Sequence, residues 1–202
     1  MNQIFKKEQV MIINNASFVT SVANKENIIK DALNQVAFVG RSNVGKSSLI
    51  NMLTNQKKLA KASSTPGRTR LINYFLINNK FYFVDLPGYG FAQASKKEVY
   101  SWQSIIEPYL MNNDKLKLVC MLVDARITPT IQDRQMFEYL AYYNLPFIIV
   151  ATKSDKLSKA QLNKAKLNIA NTLGVGLDNI TTVSNETRDG KDKLLSIIEK
   201  YL

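Results

Sequence analysis

The sequence predicts an α/β fold in which helices cover both faces of a mainly parallel six-stranded sheet with one antiparallel edge strand. Three observations predict it. Short apolar runs alternate with helical patterns along most of the chain, the order that βαβ units produce. At one place only Asn78, Asn79 and Lys80 separate two such runs, too short a link for a helix, so that pair reads as an antiparallel hairpin on one edge of the sheet. No repeat, proline-rich linker or low-complexity tract divides the 202 residues, and 8 Gly with 5 Pro are too few for a flexible hinge. Residues 1–202 therefore read as one domain, with 1–30 as an extension packed on it.

The elements follow in order. Residues 35–39 form an apolar run suited to a strand, and 46–54 carry a helical pattern directly after a glycine-rich turn. Residues 71–77 and 81–85, rich in aromatic and β-branched side chains, make the hairpin. A helix is expected over 96–111, where Trp102 stands at helical spacing from Ile105 and Ile106. Strand 116–123, helix 130–143, strand 146–151, helix 158–173, strand 180–183 and helix 189–201 complete the alternation. The first thirty residues are ambiguous, with 10–13 and 17–22 each able to add a strand.

Composition excludes several classes of chemistry. There is no histidine, which removes Ser-His-Asp and Cys-His catalysis and every His-containing zinc site. The single cysteine, Cys120, lies within the apolar run 118–123 and reads as a buried small hydrophobe in a reducing compartment. That run is far shorter than the roughly 20 residues needed to span a bilayer, and residues 1–10 are too polar for a signal peptide, so a cytoplasmic protein without membrane contact is expected. The charge is unusual: 27 Lys and Arg against 16 Asp and Glu give +11, an excess that attracts polyanions and makes nucleic acid the first partner to consider.

In open parallel sheets ligands bind beyond the carboxyl ends of the strands, and the motifs fall there. After the first strand comes Gly40-Arg41-Ser42-Asn43-Val44-Gly45-Lys46-Ser47, a G-x-x-x-x-G-K-[ST] sequence that opens a helix. Gly40 and Gly45 let the backbone aim N–H groups at phosphate oxygens, Lys46 brings positive charge to the β- and γ-phosphates, and the Ser47 hydroxyl is a Mg²⁺ ligand. After the hairpin stands Asp85-Leu86-Pro87-Gly88, where Asp85 can hold Mg²⁺ through water and the Gly88 N–H can reach a γ-phosphate. Residues 60–71 between the first helix and the hairpin are small, basic and aperiodic, which suits a loop ordered by nucleotide; Thr69 is the candidate Mg²⁺ ligand there and Thr65 the alternative. Thr152-Lys153-Ser154-Asp155 follows an apolar strand and selects the base. The Asp155 carboxylate can accept from both N1–H and N2–H₂ of guanine, which adenine cannot match. The Lys153 stem can lie along the base, and Ser184-Asn185-Glu186, after Val183, can offer backbone N–H groups to the guanine O6.

The order of these motifs is similar to that of translation-factor-like small GTPases. More narrowly the chain resembles the EngB (YihA/YsxC) family, through Gly40 to Ser48 continuing into Leu49-Ile50-Asn51, Thr65-Pro66-Gly67-Arg68-Thr69, and Val84 to Ala92. The resemblance implies a Ras-like three-layer α/β/α sandwich, GTP hydrolysis to GDP and phosphate with Mg²⁺, a role in large ribosomal subunit assembly through rRNA or a ribosomal protein, and a link to normal cell division and septation. A monomer is expected, with Lys46, Thr69 and Gly88 as catalytic groups and Gly67 and Arg68 beside the nucleotide.

Three departures bear on mechanism. Tyr89 stands where Ras-like proteins place a water-orienting Gln, so intrinsic hydrolysis should be slow. Asn43 matches the position at which related bacterial GTPases bind K⁺, which makes potassium or a ribosomal partner the expected stimulant. Thr152 replaces the usual Asn of the guanine motif, leaving the contact to the base N7 open. Two basic clusters remain, one over 57–70 and one from Lys153 through Lys156, Lys159, Lys164 and Lys166; each suits RNA or a solubilising face. Arg41 and Arg68 can stand in for an arginine finger or stay solvated. Tyr89, Phe91 and Trp102 can pack in the core or stack on bases.

Overall fold

The computed structural model describes residues 10–61, 71–89 and 96–202. Gly67, Arg68 and Thr69, with Thr65 and Phe91, lie outside the described residues, as does the side chain of Trp102.

Seven strands form one sheet in the order β1-β3-β4-β2-β5-β6-β7. They are β1 (Ala16–Val22), β2 (Asn34–Gly40), β3 (Ile72–Ile77), β4 (Phe81–Asp85), β5 (Leu116–Asp124), β6 (Phe147–Thr152) and β7 (Ile180–Thr182). The helices are α1 (Lys46–Thr54), α2 (Lys96–Met111), α3 (Ile131–Tyr142), α4 (Lys159–Leu173) and α5 (Lys191–Glu199). Strands β4, β2, β5, β6 and β7 run parallel, while β3 is antiparallel to both β4 and β1.

The α/β class is as expected, but the sheet has seven strands rather than six, and the antiparallel strand is second from the edge. The additional strand is β1, one of the two segments the sequence left open. It pairs from Ala16↔Ile77 to Val22↔Ile72 and covers the outer side of the hairpin. The hairpin turn secures the chain just before it: the Asn78 carboxamide oxygen accepts from the N–H groups of Asn14 (2.9 Å) and Asn15 (3.2 Å), and its Nδ2 donates to the Ile12 carbonyl (2.7 Å). Asn78 and Asn79 both take positive φ, 51° and 56°, the twist that suits a tight hairpin.

Alternation along each strand divides the core into two layers. Ala37 and Val39 of β2 and Val119, Met121 and Val123 of β5 face α2, α3 and α4, where Ile106, Tyr109, Leu140 and Ile169 meet them. Val36 and Phe38 with Leu118, Cys120 and Leu122 face α1 and α5, against Leu49, Leu53, Leu194 and Ile198. Covered on both sides, β2 and β5 read over 36–39 and 118–123 as unbroken apolar runs instead of alternating ones. The result is a three-layer α/β/α sandwich with the carboxyl ends of β2, β4, β5 and β6 side by side along one rim.

Candidate functional site

The loop between β2 and α1 is shaped by two residues in left-handed backbone, Asn43 at φ 63° and Gly45 at φ 107°. Glycine alone adopts the second of these without strain, and there it serves as the N-cap of α1 with no side-chain cap. The first N–H groups of the helix thus face the rim, where an anion can take them. Beside this loop runs the turn after β4. Leu86 N–H donates to the Phe38 carbonyl (3.0 Å), Tyr89 N–H to the Gly40 carbonyl (3.3 Å) and Ser42 N–H to the Tyr89 carbonyl (3.1 Å). At Gly88 a Cβ would come within 3.1 Å of the Ser42 Oγ, so the two loops touch at a position that admits no larger residue without adjustment. Pro87 is buried next to it, Arg41, Ser42 and Ser47 are half-buried, and Ser48 is exposed.

Lys46 and Asp85, which the sequence assigns to phosphate and metal, meet: the ammonium pairs with Asp85 Oδ1. Ser47 Oγ lies 3.5 Å from Asp85 Oδ2. A hydroxyl and a buried carboxylate so placed are hard oxygen donors of the kind Mg²⁺ takes one or two at a time, its remaining ligands being water and phosphate. Among the described residues no group of three or more Cys, Asp or Glu could form an all-protein cage. The residues present therefore fit Mg²⁺ brought in with a phosphate ligand.

The other end of the cleft is built at the tips of β5, β6 and β7. Thr152 is fully buried, and its hydroxyl reaches the carbonyls of Val44 (2.7 Å) and Val123 (3.1 Å), so the residue in the usual Asn position stitches β6 to the phosphate loop. Lys153, at φ 62°, extends its ammonium to the Asn43 carbonyl (2.9 Å) and Asp124 Oδ2 (2.9 Å). Ser154 N–H is held by the Val183 carbonyl (3.2 Å). Asp155 takes the Ser184 hydroxyl on Oδ1 (2.9 Å) and the Lys156 ammonium on Oδ2 (3.0 Å), and the Lys156 contact, ahead of the Ser184 bond, keeps its carboxyl below the ordinary value. In the loop after Val183, Ser184 N–H goes to the Asp189 carbonyl, and Glu186 and Thr187 N–H both go to Ser184 Oγ. Asn185 turns its side chain back to the phosphate loop, Nδ2 donating to the Gly45 carbonyl at 3.3 Å.

Several expectations are refined. Tyr89 does not face the cleft; it is buried and its phenol donates to Asp133 Oδ1 at 3.0 Å. The cluster opening α4 is not a uniform basic face, since Lys153 and Lys156 are bound to Asp124 and Asp155 while Lys159 and Lys164 are exposed. Of the other cluster, Lys57, Lys58 and Lys61 are exposed and Arg68 and Arg70 lie outside the described residues.

Sequence reasoning passed over Asp124 and Asp133. Asp124 takes both Lys153 and a bidentate Arg126, at 2.9 Å from Nε and 2.8 Å from Nη2. Burial works to raise its carboxyl, but the bonds from Arg126 and then Lys153 outweigh it and hold Asp124 well below the usual range. Its position at the carboxyl end of β5 was the available signal.

Comparison with known proteins identifies the family. The family described as 50S ribosome-binding GTPase matches residues 35–153. The "Probable GTP-binding protein EngB" of Clostridium kluyveri is 52% identical over 193 residues, 95% of this chain and 98% of its own length. That of Clostridium perfringens strain 13 is 49% identical over 189 residues, 93% and 96% of the two chains. Among solved structures, a crystal structure of a probable GTP-binding protein engB superposes with a TM-score of 0.68 at 26% identity, covering 82% of this chain and 97% of that one. Era in complex with MgGDPNP and nucleotides 1506-1542 of 16S ribosomal RNA superposes at 0.61 with 27% identity, covering 84% and 57%. A phosphate loop on β2 and α1, an aspartate–glycine turn after β4 and a base motif after β6 thus stand on a Ras-like sheet, and by sequence and architecture the chain belongs to the EngB family of P-loop GTPases.

Proposed function

We propose that this chain is a GTP-hydrolysing switch in large ribosomal subunit assembly, working as a cytoplasmic monomer of one G domain with residues 1–30 packed on it. One observation carries the reading. Lys46, Ser47 and Asp85 gather at one end of the rim and Lys153, Asp155 and Ser184 at the other, and the Lys153 ammonium on the Asn43 carbonyl joins the two. Phosphates at one end and a guanine at the other match both sets of groups.

In this reading Gly40, Arg41, Ser42, Asn43, Val44, Gly45, Lys46, Ser47 and Ser48 cradle the phosphates, and Lys46 leaves Asp85 for the β- and γ-oxygens. Ser47, Asp85 through water, and Thr69 hold Mg²⁺, which when bound neutralises charge on the same oxygens. Gly88, with Asp85, Leu86 and Pro87, presents an N–H to the γ-phosphate, and Gly67 and Arg68 close from the preceding loop. Thr152, Lys153, Ser154 and Asp155 with Val183, Ser184 and Asn185 form the base pocket. Asn43 is exposed in this loop, which leaves its side chain free to meet a K⁺ ion. The ribosomal partner is supported by the family description, by the rRNA bound to Era and by the +11 charge. The family link to cell division and septation follows from the same assignment.

Cosedimentation with purified large subunits or their precursors tests it, with a non-hydrolysable GTP analogue set against GDP. Stronger binding with the analogue is expected. Equal binding would remove the switch, and no binding would remove the ribosomal partner.

Tyr89 favours a second reading, in which nucleotide is only a conformational ligand of an RNA-binding assembly factor, because the residue after Gly88 presents no side chain to orient water. Single-turnover hydrolysis with and without subunits separates the two. Comparison of KCl with NaCl tests the potassium requirement, and equal rates would dismiss it.

A further inference from the structure

We infer that the Asn185 side chain donates to the guanine N7, taking the contact that Thr152 is unable to make; this rests on the guanine reading above. Guanine carries two acceptors, N7 and O6, on its major-groove edge, which adjoins the edge bearing the donors suited to Asp155. Thr152 has one hydroxyl hydrogen, and both acceptors beside it are main-chain carbonyls, Val44 at 2.7 Å and Val123 at 3.1 Å. Whichever receives the hydrogen, only lone pairs remain, and a lone pair does not serve N7.

Asn185 has the missing hydrogens. In its loop the backbone N–H groups of Ser184, Glu186 and Thr187 are bound within the protein, and among the described residues that of Asn185 is not, which leaves it for O6. Its carboxamide lies on the phosphate-loop side of the pocket, with Nδ2 donating to the Gly45 carbonyl at 3.3 Å. That carbonyl fixes the orientation, since exchanging nitrogen and oxygen would set two acceptors against each other. Oδ1 is buried with no partner among the described residues, so the fold uses one hydrogen of this amide and neither lone pair. The second Nδ2 hydrogen remains, between the loop that would meet O6 and the loop that cradles phosphate, where the N7 edge of a base held by Asp155 would lie. Asn185 thus does for the base what its neighbour across the pocket does for the phosphate loop.

The test is competition of GDP and 7-deaza-GDP, in which a C–H replaces N7, against a fluorescent guanosine nucleotide on the full chain with Mg²⁺. Wild type is expected to prefer GDP by about two- to tenfold, the worth of one neutral hydrogen bond. Asn185→Ala is expected to lose about that factor for GDP and to bind both nucleotides equally. Equal affinities in the wild type, which needs no variant to fold, would overturn the inference. So would an Asn185→Ala protein that keeps the preference, or a parallel loss for both nucleotides, which would make the amide only a brace on Gly45. Failure of the guanine reading looks different: wild type would then bind neither nucleotide.

Discussion

Tyr89 and Asp133, separated by 44 positions in sequence, share a buried hydrogen bond of 3.0 Å that ties the turn after β4 to the first turn of α3. Asp133 is already the acidic member of a capping box, its Oδ2 taking the N–H and hydroxyl of Thr130, both at 2.8 Å. The phenol completes that carboxylate on its other oxygen. Burial first, and then the Asp133 charge, push the Tyr89 hydroxyl above its ordinary value, so it is a donor at neutral pH.

Tyr89→Phe therefore leaves Asp133 Oδ1 buried and unpaired. A loss of about 1–3 kcal/mol in urea unfolding is expected, the cost of an orphaned buried acceptor. Hydrolysis per folded molecule should change much less than stability does. A large fall in rate with unchanged stability would place the phenol in the chemistry instead.

Asp155→Asn removes the carboxylate that holds the Ser184 hydroxyl and the Lys156 ammonium and that the proposed function sets against two donors of the base. GDP affinity should fall at least about tenfold, given roughly 1.5–3 kcal/mol for a hydrogen bond to a charged group, while xanthosine diphosphate should gain. Competition titrations with the two diphosphates measure this, and an unchanged order of preference would count against the assignment of the base pocket.

The Lys46–Asp85 pair predicts coupling between metal and nucleotide. A phosphate that draws Lys46 away leaves a buried carboxylate uncompensated unless a cation arrives with it, so each ligand favours the other. Chelating Mg²⁺ should weaken GDP binding roughly 5- to 150-fold, the usual range for coupled sites, and Asp85→Asn should shrink that factor. Equilibrium titration with a fluorescent GDP, with and without chelator, reads both.

Asp124 gives an acid-side signature. Its folded value is depressed, so the stability it supplies is complete above the unfolded value near 4 and is lost progressively as pH falls toward the folded one. Urea midpoints at pH 7 and pH 3 should therefore drop more for wild type than for Asp124→Asn. Parallel slopes would show that the Arg126 and Lys153 contacts do not survive in solution.

Cys120 offers a simple check of the core. It is fully buried in β5 and burial pushes its thiol far up, so a thiol reagent should label it only at the rate of unfolding. Rapid labelling of the native protein would contradict the packing of β5 against α1.

Much of this architecture could be read before any coordinates, for local reasons. Helix α1 spans Lys46–Thr54 as the pattern over 46–54 indicated, because a glycine-rich turn and an apolar face define it without outside help. The glycine-rich loop before α1 and the Thr152–Asp155 motif are legible in sequence because their residues stand within a few positions of one another. Strand β1 was ambiguous since Ser17, Phe18 and Val19 are exposed; an edge strand on a hairpin carries only a weak burial pattern. Contacts across long stretches were invisible in one dimension. Thr152 meets Val44 at a separation of 108 positions, and Asn185 meets Gly45 at 140, so their roles emerge only when β2, β6 and β7 are aligned. Tyr89 could be seen as unsuited to orient water, yet its attachment to Asp133 depends on where α3 begins.

The Asn78 clasp and the β1 ladder have a mechanical corollary. In a two-stranded ribbon, a slip of β3 along β4 could act as a piston between the segment before Ile72 and the turn after Asp85. Here β3 is zipped along both edges, and its far end is buckled to residues 12–15 by three side-chain bonds from Asn78. Sliding would shear two ladders at once and, for a one-residue step, turn every core side chain outward. The register of the ribbon is thus pinned along both ladders and at its turn.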